Sequence, residues 1–195
     1  MSSASCAPAI RRRTRPEAPP RPPHAVDRRT LNIAGFAACA ALLGYALYAQ
    51  FQLGLEPCPL CIFQRIGVAL AGVLFLLAAL HNPSGGGRYV YAGLVGVAAL
   101  ATAGVAARHV YVQHLPPGSL PSCGAPLAIL LKFTPVFTLI KKVLTGSGEC
   151  GEVNWRFLGL AMPTWVLLCA LALAALGLYA NLGGGRLRPA GSAAR

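Results

Sequence analysis

The chain has 195 residues, 55% of them hydrophobic and only 11% charged, yet its formal net charge is +12. That apolar content excludes an ordinary soluble domain and points to an integral membrane protein. The positive charge would suggest a nucleic-acid partner only if it were spread over a folded surface. Much of it lies instead in one tail, at Arg11, Arg12, Arg13, Arg15, Arg21, Arg28 and Arg29.

Residues 1–30 mix these arginines with prolines and hold few large apolar groups. Such a tail buries too little surface to offset its ordering entropy, so it is expected to be disordered, a topology signal and not a nucleic-acid arm. The apolar stretch behind it is a full span, Leu31 to Phe51, longer than the h-region of a cleavable signal peptide. The tail is therefore expected to be retained.

The loop that follows contains "EPCPLCIFQR", Glu56 to Arg65, in which Cys58 and Cys61 enclose two residues. A second span is expected over Cys61 to Leu80, a short link over Asn82 to Arg88, and a third span over Tyr89 to Val110. His109 and His114 lie at the far end of that third span. The long segment behind it carries Cys123 and Cys150 and leads into a fourth span, Met162 to Leu182, with Pro163 in its first turn, where a missing N–H costs little. Residues 183–195 form a second short tail.

No Lys or Arg occurs between Arg29 and Arg65, whereas Arg88 and the three arginines at Arg186, Arg188 and Arg195 flank the other ends of the spans. The positive-inside bias then places both termini in the cytoplasm and the cysteine-bearing loops outside. Tyr45, Tyr48, Tyr89, Tyr111, Trp155 and Trp165 fall near span ends, as interfacial aromatics do. The stretch Pro126 to Gly146 tempts a fifth span. Lys132 and Pro135 interrupt it, Lys141 and Lys142 close it, and a fifth crossing would separate Cys123 from Cys150. It reads as an amphipathic segment lying in the interface. The expected fold is an all-α, four-helix transmembrane bundle with a long outward loop carrying that interfacial segment.

Of seven cysteines, Cys39 and Cys169 lie inside spans and read as small apolar filler, and Cys6 lies in the tail. Four remain outside, where an oxidising compartment favours two disulfides. The short Cys58–Cys61 ring reads as a redox motif. Cys123 and Cys150 enclose a long loop whose cross-link could contribute about 3–4 kcal/mol, so a plain structural disulfide competes with a redox role there. A four-cysteine zinc site is disfavoured because only one pair is closely spaced.

Arg65 lies four residues after Cys61, one turn deeper on the same helical face. The helix N-terminus and the guanidinium both favour a thiolate at Cys61. An arginine inside a span marks a functional site by default, although one that only snorkels is the alternative. The chain has no GxGxxG fingerprint, CxxCH haem attachment or iron–sulfur cysteine run. A membrane-dissolved quinone is an electron acceptor that leaves no such mark, and His109 or His114 could hydrogen-bond one of its oxygens. A bis-His haem lacks partner histidines on another span.

These residues resemble the disulfide bond formation protein B (DsbB) family of quinone-linked thiol oxidases. The resemblance rests on "CPLCIFQR", on Cys123 and Cys150 in a long outward loop, on "GSGECGEVNWRFLGLAMPTW" and on the four spans, and it covers about Leu31 to Leu182. It implies a bacterial inner-membrane oxidase whose partner is a periplasmic, thioredoxin-like protein of the DsbA type. The partner would attack the Cys123–Cys150 disulfide at Cys123, Cys150 would attack Cys58, and Cys61 would leave as a thiolate beside ubiquinone or menaquinone, with Arg65 stabilising negative charge there. Vitamin K epoxide reductase-like enzymes also pair a CxxC with a quinone, but late in the chain. A structural membrane protein with plain disulfides or a zinc site is the non-enzymatic alternative.

Overall fold

The computed structural model describes residues 27–83, 85–116, 135–146, 148–151, 153 and 155–183. Residues 1–26 of the tail expected to be disordered, Cys6 among them, together with Cys123, the first part of the interfacial segment and the last twelve residues, lie outside the described residues; Arg28, Arg29 and Thr30, expected in that tail, instead form the first turn of α1. Four long helices make up the body: α1 (Arg28–Gln52), α2 (Pro59–His81), α3 (Gly87–Gln113) and, last in the chain, α6 (Met162–Leu182). With 25, 23, 27 and 21 residues, each is long and apolar enough to cross a membrane. The chain is a multi-pass, four-helix membrane protein, as expected. Three of the helices run past the apolar windows by a few residues, since a helix continues into polar flanks until its backbone groups find a cap.

Between α3 and α6 lie α4 (Val136–Thr145), the single turn α5 (Gly148–Gly151) and a small hairpin, β1 (Arg156–Phe157) and β2 (Leu160–Ala161). Ten residues of α-helix span about 15 Å, half of a bilayer core, so α4 is no fifth crossing. The hairpin pairs Arg156 with Ala161 and Phe157 with Leu160. Its two-residue turn has positive φ at Leu158 (50°) and Gly159 (78°), the primed geometry that matches strand twist.

The bundle packs through small residues. Phe75 of α2 is fully buried among Cys39, Val95, Ala98, Ala99, Leu173 and Ala174. Cys39 thus fills a core position, in keeping with its sequence reading. Gly177 of α6 has no room for a side chain, because a Cβ there would collide with Val95 and touch Phe75. Close backbone approach of this kind drives helix association in lipid, where apolar burial no longer discriminates. Gly177→Ala is expected to destabilise the bundle by about 1–3 kcal/mol through overpacking. A thermal melt in detergent checks this against Gly44→Ala, which meets nothing within 4 Å and should not lower the midpoint.

One buried polar pair crosses the bundle. Asn181 Nδ2 donates to Asn32 Oδ1 (3.1 Å) and to the Gly177 carbonyl (2.9 Å), while Asn32 Nδ2 donates to the Arg28 carbonyl (3.1 Å). Asn32 Nδ2 also reaches Asn181 Oδ1 at 3.4 Å, so the two amides bond each other reciprocally across the helices, which fixes the rotation of α1 against α6.

Candidate redox site

The Cys-Pro-Leu-Cys turn folds as it does because of its ends. Cys58 is extended (φ −65°, ψ 165°) and caps α2, its sulfur accepting from the Cys61 N–H at 3.4 Å. Pro59 follows as the first helical residue, where its ring presets φ and its absent N–H is no loss. Helix α2 therefore starts two residues before the expected Cys61, and Cys61 stands in its first turn. The two sulfurs lie 3.2 Å apart.

This turn has two faces. On one, Leu60 is fully buried with Val112 of α3, Val143 of α4 and Cys150 of α5, and Cys58 packs against that cluster. Cys150, on a loop far along the chain from Cys58, is thereby seated beside the first cysteine pair. Cys123 lies outside the described residues, so its relation to Cys150 is not part of this geometry. On the other face, Cys61, Gln64 and Arg65 line an apolar cleft of about 140 Å³, closed by Tyr45 of α1 and by Trp155 and Trp165 around the hairpin.

Arg65 is half-buried and turned toward α1, where its guanidinium donates to Gln50 Oε1 and to the Ala46 carbonyl, the latter at 3.0 Å. It is thus held across the cleft wall by two of its five N–H groups, instead of snorkelling along its own helix. The aromatic wall is also braced. Tyr45 meets Trp155 edge-on at 6.0 Å, Trp155 stacks on Phe157 at 6.0 Å and 19°, and Trp165 Nε1 donates to the Phe157 carbonyl at 3.1 Å. The hairpin serves to hold these rings over the cleft.

The two histidines separate. His109 is buried against the cysteines, with Nε2 3.8 Å from Cys58 Sγ and Nδ1 4.0 Å from Cys61 Sγ. Its Nε2 also lies 3.1 Å from the Cys150 carbonyl, and Nδ1 lies 3.1 Å from Gln64 Nε2. A carbonyl can only accept, so Nε2 carries the proton; Nδ1 of the neutral ring then accepts from the Gln64 amide. His114 is exposed, its Nδ1 bonded to the Val110 carbonyl at 2.8 Å. Five residues place it about 140° around α3 from His109. His109 faces the sulfur pair and not the cleft that Arg65 lines.

Gln64 and Gln50 were not singled out from the sequence. Gln64 carries a readable signal, a polar residue on an otherwise apolar span, next to the arginine. Gln50 carries none, since a glutamine such as Gln50 or Gln52 is ordinary at the end of a span.

A family model described as disulfide bond formation protein DsbB matches residues 28–180. Proteins named disulfide bond formation protein B are similar over most of their length. That of Xanthomonas campestris pv. campestris (strain 8004) is 53% identical over 154 residues, covering 78% of this chain and 90% of the relative. That of Methylococcus capsulatus is 49% identical over 150 residues, covering 77% and 92%. That of Chromobacterium violaceum is 54% identical over 130 residues, covering 67% and 78%.

Proposed function

The chain belongs to the DsbB family of disulfide bond formation proteins, and on that premise we propose that it is a dithiol:quinone oxidoreductase of the inner membrane. It reoxidises a periplasmic DsbA-type protein and hands the electrons to ubiquinone or menaquinone, with its termini cytoplasmic and its cysteine loops periplasmic. The observation that carries this reading is the two-faced turn. One side of the Cys58–Cys61 pair meets Cys150 and its loop, and the other opens on an apolar cleft with a fixed cation.

The residues divide the work accordingly. The partner's thiolate attacks Cys123, and Cys150 is released as the leaving thiolate. Cys150 attacks Cys58, breaking the Cys58–Cys61 bond, and Cys61 leaves as a thiolate. The partner's second thiolate displaces Cys123, which then resolves the Cys58–Cys150 bond and restores the Cys123–Cys150 disulfide. Cys58 and Cys61 are left as a dithiol carrying the partner's two electrons and two protons. A good leaving group speeds each exchange, and Cys61 at the helix N-terminus is placed to be one.

The cleft fits a quinone ring: flat aromatic walls, a sulfur and one guanidinium that can donate to a ring oxygen. A quinone bound there supplies a two-electron, two-proton acceptor. Arg65 orients it and offers positive charge where negative charge develops, and the rings of Trp155, Tyr45 and Trp165 exclude water from that wall. His109 holds the Cys150 segment against the pair through its Nε2–H.

Anaerobic mixing of the detergent-solubilised protein with a reduced thioredoxin-like partner and a soluble quinone tests this reading. One quinol should form per partner disulfide, followed by quinone absorbance. Loss of partner thiols without quinol would refute it. The histidines provide a second check. His109→Ala should slow turnover about tenfold, the effect of losing roughly one hydrogen bond to the loop, whereas His114→Ala should leave the rate unchanged.

A further inference from the structure

The reduced Cys58–Cys61 pair and His109 have the makings of a metal site that the electron relay does not use. We infer that, in its dithiol state, this cluster binds a zinc ion through Cys58 Sγ, Cys61 Sγ and His109 Nδ1, and that the ion locks the pair against reoxidation. The inference rests on reading Cys58 and Cys61 as a pair that cycles to the dithiol.

Three observations support it. The first is spacing. The ligand atoms of Cys58, Cys61 and His109 all lie within 4.8 Å of one another. Zinc bonds of about 2.3 Å to sulfur and about 2.0–2.1 Å to nitrogen place neighbouring ligand atoms of a tetrahedron roughly 3.6–3.8 Å apart. The sulfurs now lie 3.2 Å apart and His109 Nδ1 lies 4.0 Å from Cys61 Sγ. For these two pairs, closing on an ion requires shifts of about half an ångström, and for Cys58 Sγ with the imidazole, whose ligand atoms lie within 4.8 Å, of up to about 1 Å, within the reach of side-chain rotation.

The second is the state of the ring. A histidine that ligates metal commonly donates its other N–H to a backbone carbonyl, which fixes the tautomer and points the lone pair at the ion. His109 Nε2 has that partner in the Cys150 carbonyl at 3.1 Å. The lone pair on Nδ1 is therefore on the side of Cys61. Its present partner, the Gln64 amide, is a neutral side chain that an ion can displace.

The third is charge. Binding removes a proton from each thiol, and two thiolates with one divalent cation sum to zero. A neutral complex suits an apolar site, whereas a second bare charge there would be costly. Arg65, the nearest guanidinium on α2, is tied back to Gln50 and the Ala46 carbonyl. Three protein ligands leave the fourth position to a water that enters with the ion. No electrons move in this step: two S–H bonds are exchanged for two S–Zn bonds, and two protons go to buffer.

The test uses the full-length protein in detergent, chemically reduced, freed of reductant and kept anaerobic. Cobalt(II) serves as a spectroscopic stand-in for zinc. One equivalent should give the intense visible bands of a tetrahedral site and sulfur-to-cobalt charge transfer, and zinc should displace it. Cys58→Ser should abolish the spectrum. His109→Ala should alter the visible bands and weaken zinc binding at least about tenfold, and prior oxidation of the pair should prevent binding. Zinc should also slow oxidation of the reduced protein by a soluble quinone at least about tenfold, with chelator restoring the rate. No saturable binding to the reduced protein, or an identical spectrum and affinity in His109→Ala, would overturn the inference. Because the titration needs neither quinone nor partner, its failure is distinct from failure of the turnover assay.

Discussion

Cys58→Ser and Cys61→Ser are each expected to lower quinone-dependent oxidation of a dithiol partner by at least about a thousandfold, the scale on which enzymes lose rate with a reacting nucleophile. The geometry keeps this test clean. Cys58 caps α2 by accepting from the Cys61 N–H, and serine is itself a favoured cap, so its oxygen can take over that role. Cys61 is partly buried at the cleft edge, and serine occupies less space there. Both variants should keep their helical circular dichroism and melt near the parent. If the pair were a structural staple, the opposite pattern would follow, with activity retained and the midpoint lowered. Turnover and melting measured on the same preparations separate the two.

Arg65→Ala is expected to raise the apparent KM for quinone about ten- to hundredfold, the equivalent of one charge-assisted hydrogen bond of roughly 1.5–3 kcal/mol. The effect should fall mainly on quinone and leave the KM for the partner protein unchanged, because Arg65 lines the cleft while Cys58 and Cys150 pack together on the other side of the turn. Arg65→Lys should give an intermediate value, keeping the charge and losing the planar fork that spans Gln50 Oε1 and the Ala46 carbonyl. Initial rates at varied quinone and saturating partner provide the measurement. An arginine that only anchors α2 to α1 would show a lowered melting midpoint with an unchanged KM, and that result would remove Arg65 from the site.

The interplay of Gln50, Gln64 and His109 shows how the site is supported. Each of the three side chains holds a group of the proposed site: Gln50 the guanidinium, Gln64 the imidazole, His109 the segment of Cys150. Such supports are what keep reacting atoms within the small tolerance that catalysis allows. They also explain why a cysteine on a distant loop can sit in the same cluster as Leu60.

What was readable along the chain was whatever depends on local order. Span positions follow from runs of apolar residues, with the start of α2 at Pro59 two residues before the expected Cys61, and the placing of Arg65 one turn below Cys61 follows from helical spacing alone. Periodicity could also have chosen between the histidines, because His109 continues the buried stripe of Val95, Ala99, Thr102 and Ala106 on α3 while His114 leaves it. The partners that cross between helices were not readable: Gln50 with Arg65, the Cys150 carbonyl with His109, the aromatic wall over the cleft. They depend on how α1, α3 and the hairpin are rotated against α2, and that rotation is set by close contacts such as Gly177 on Val95 and the Asn32–Asn181 pair. A one-dimensional pattern records which side of a helix is apolar, but only packing in three dimensions decides which neighbour that side meets.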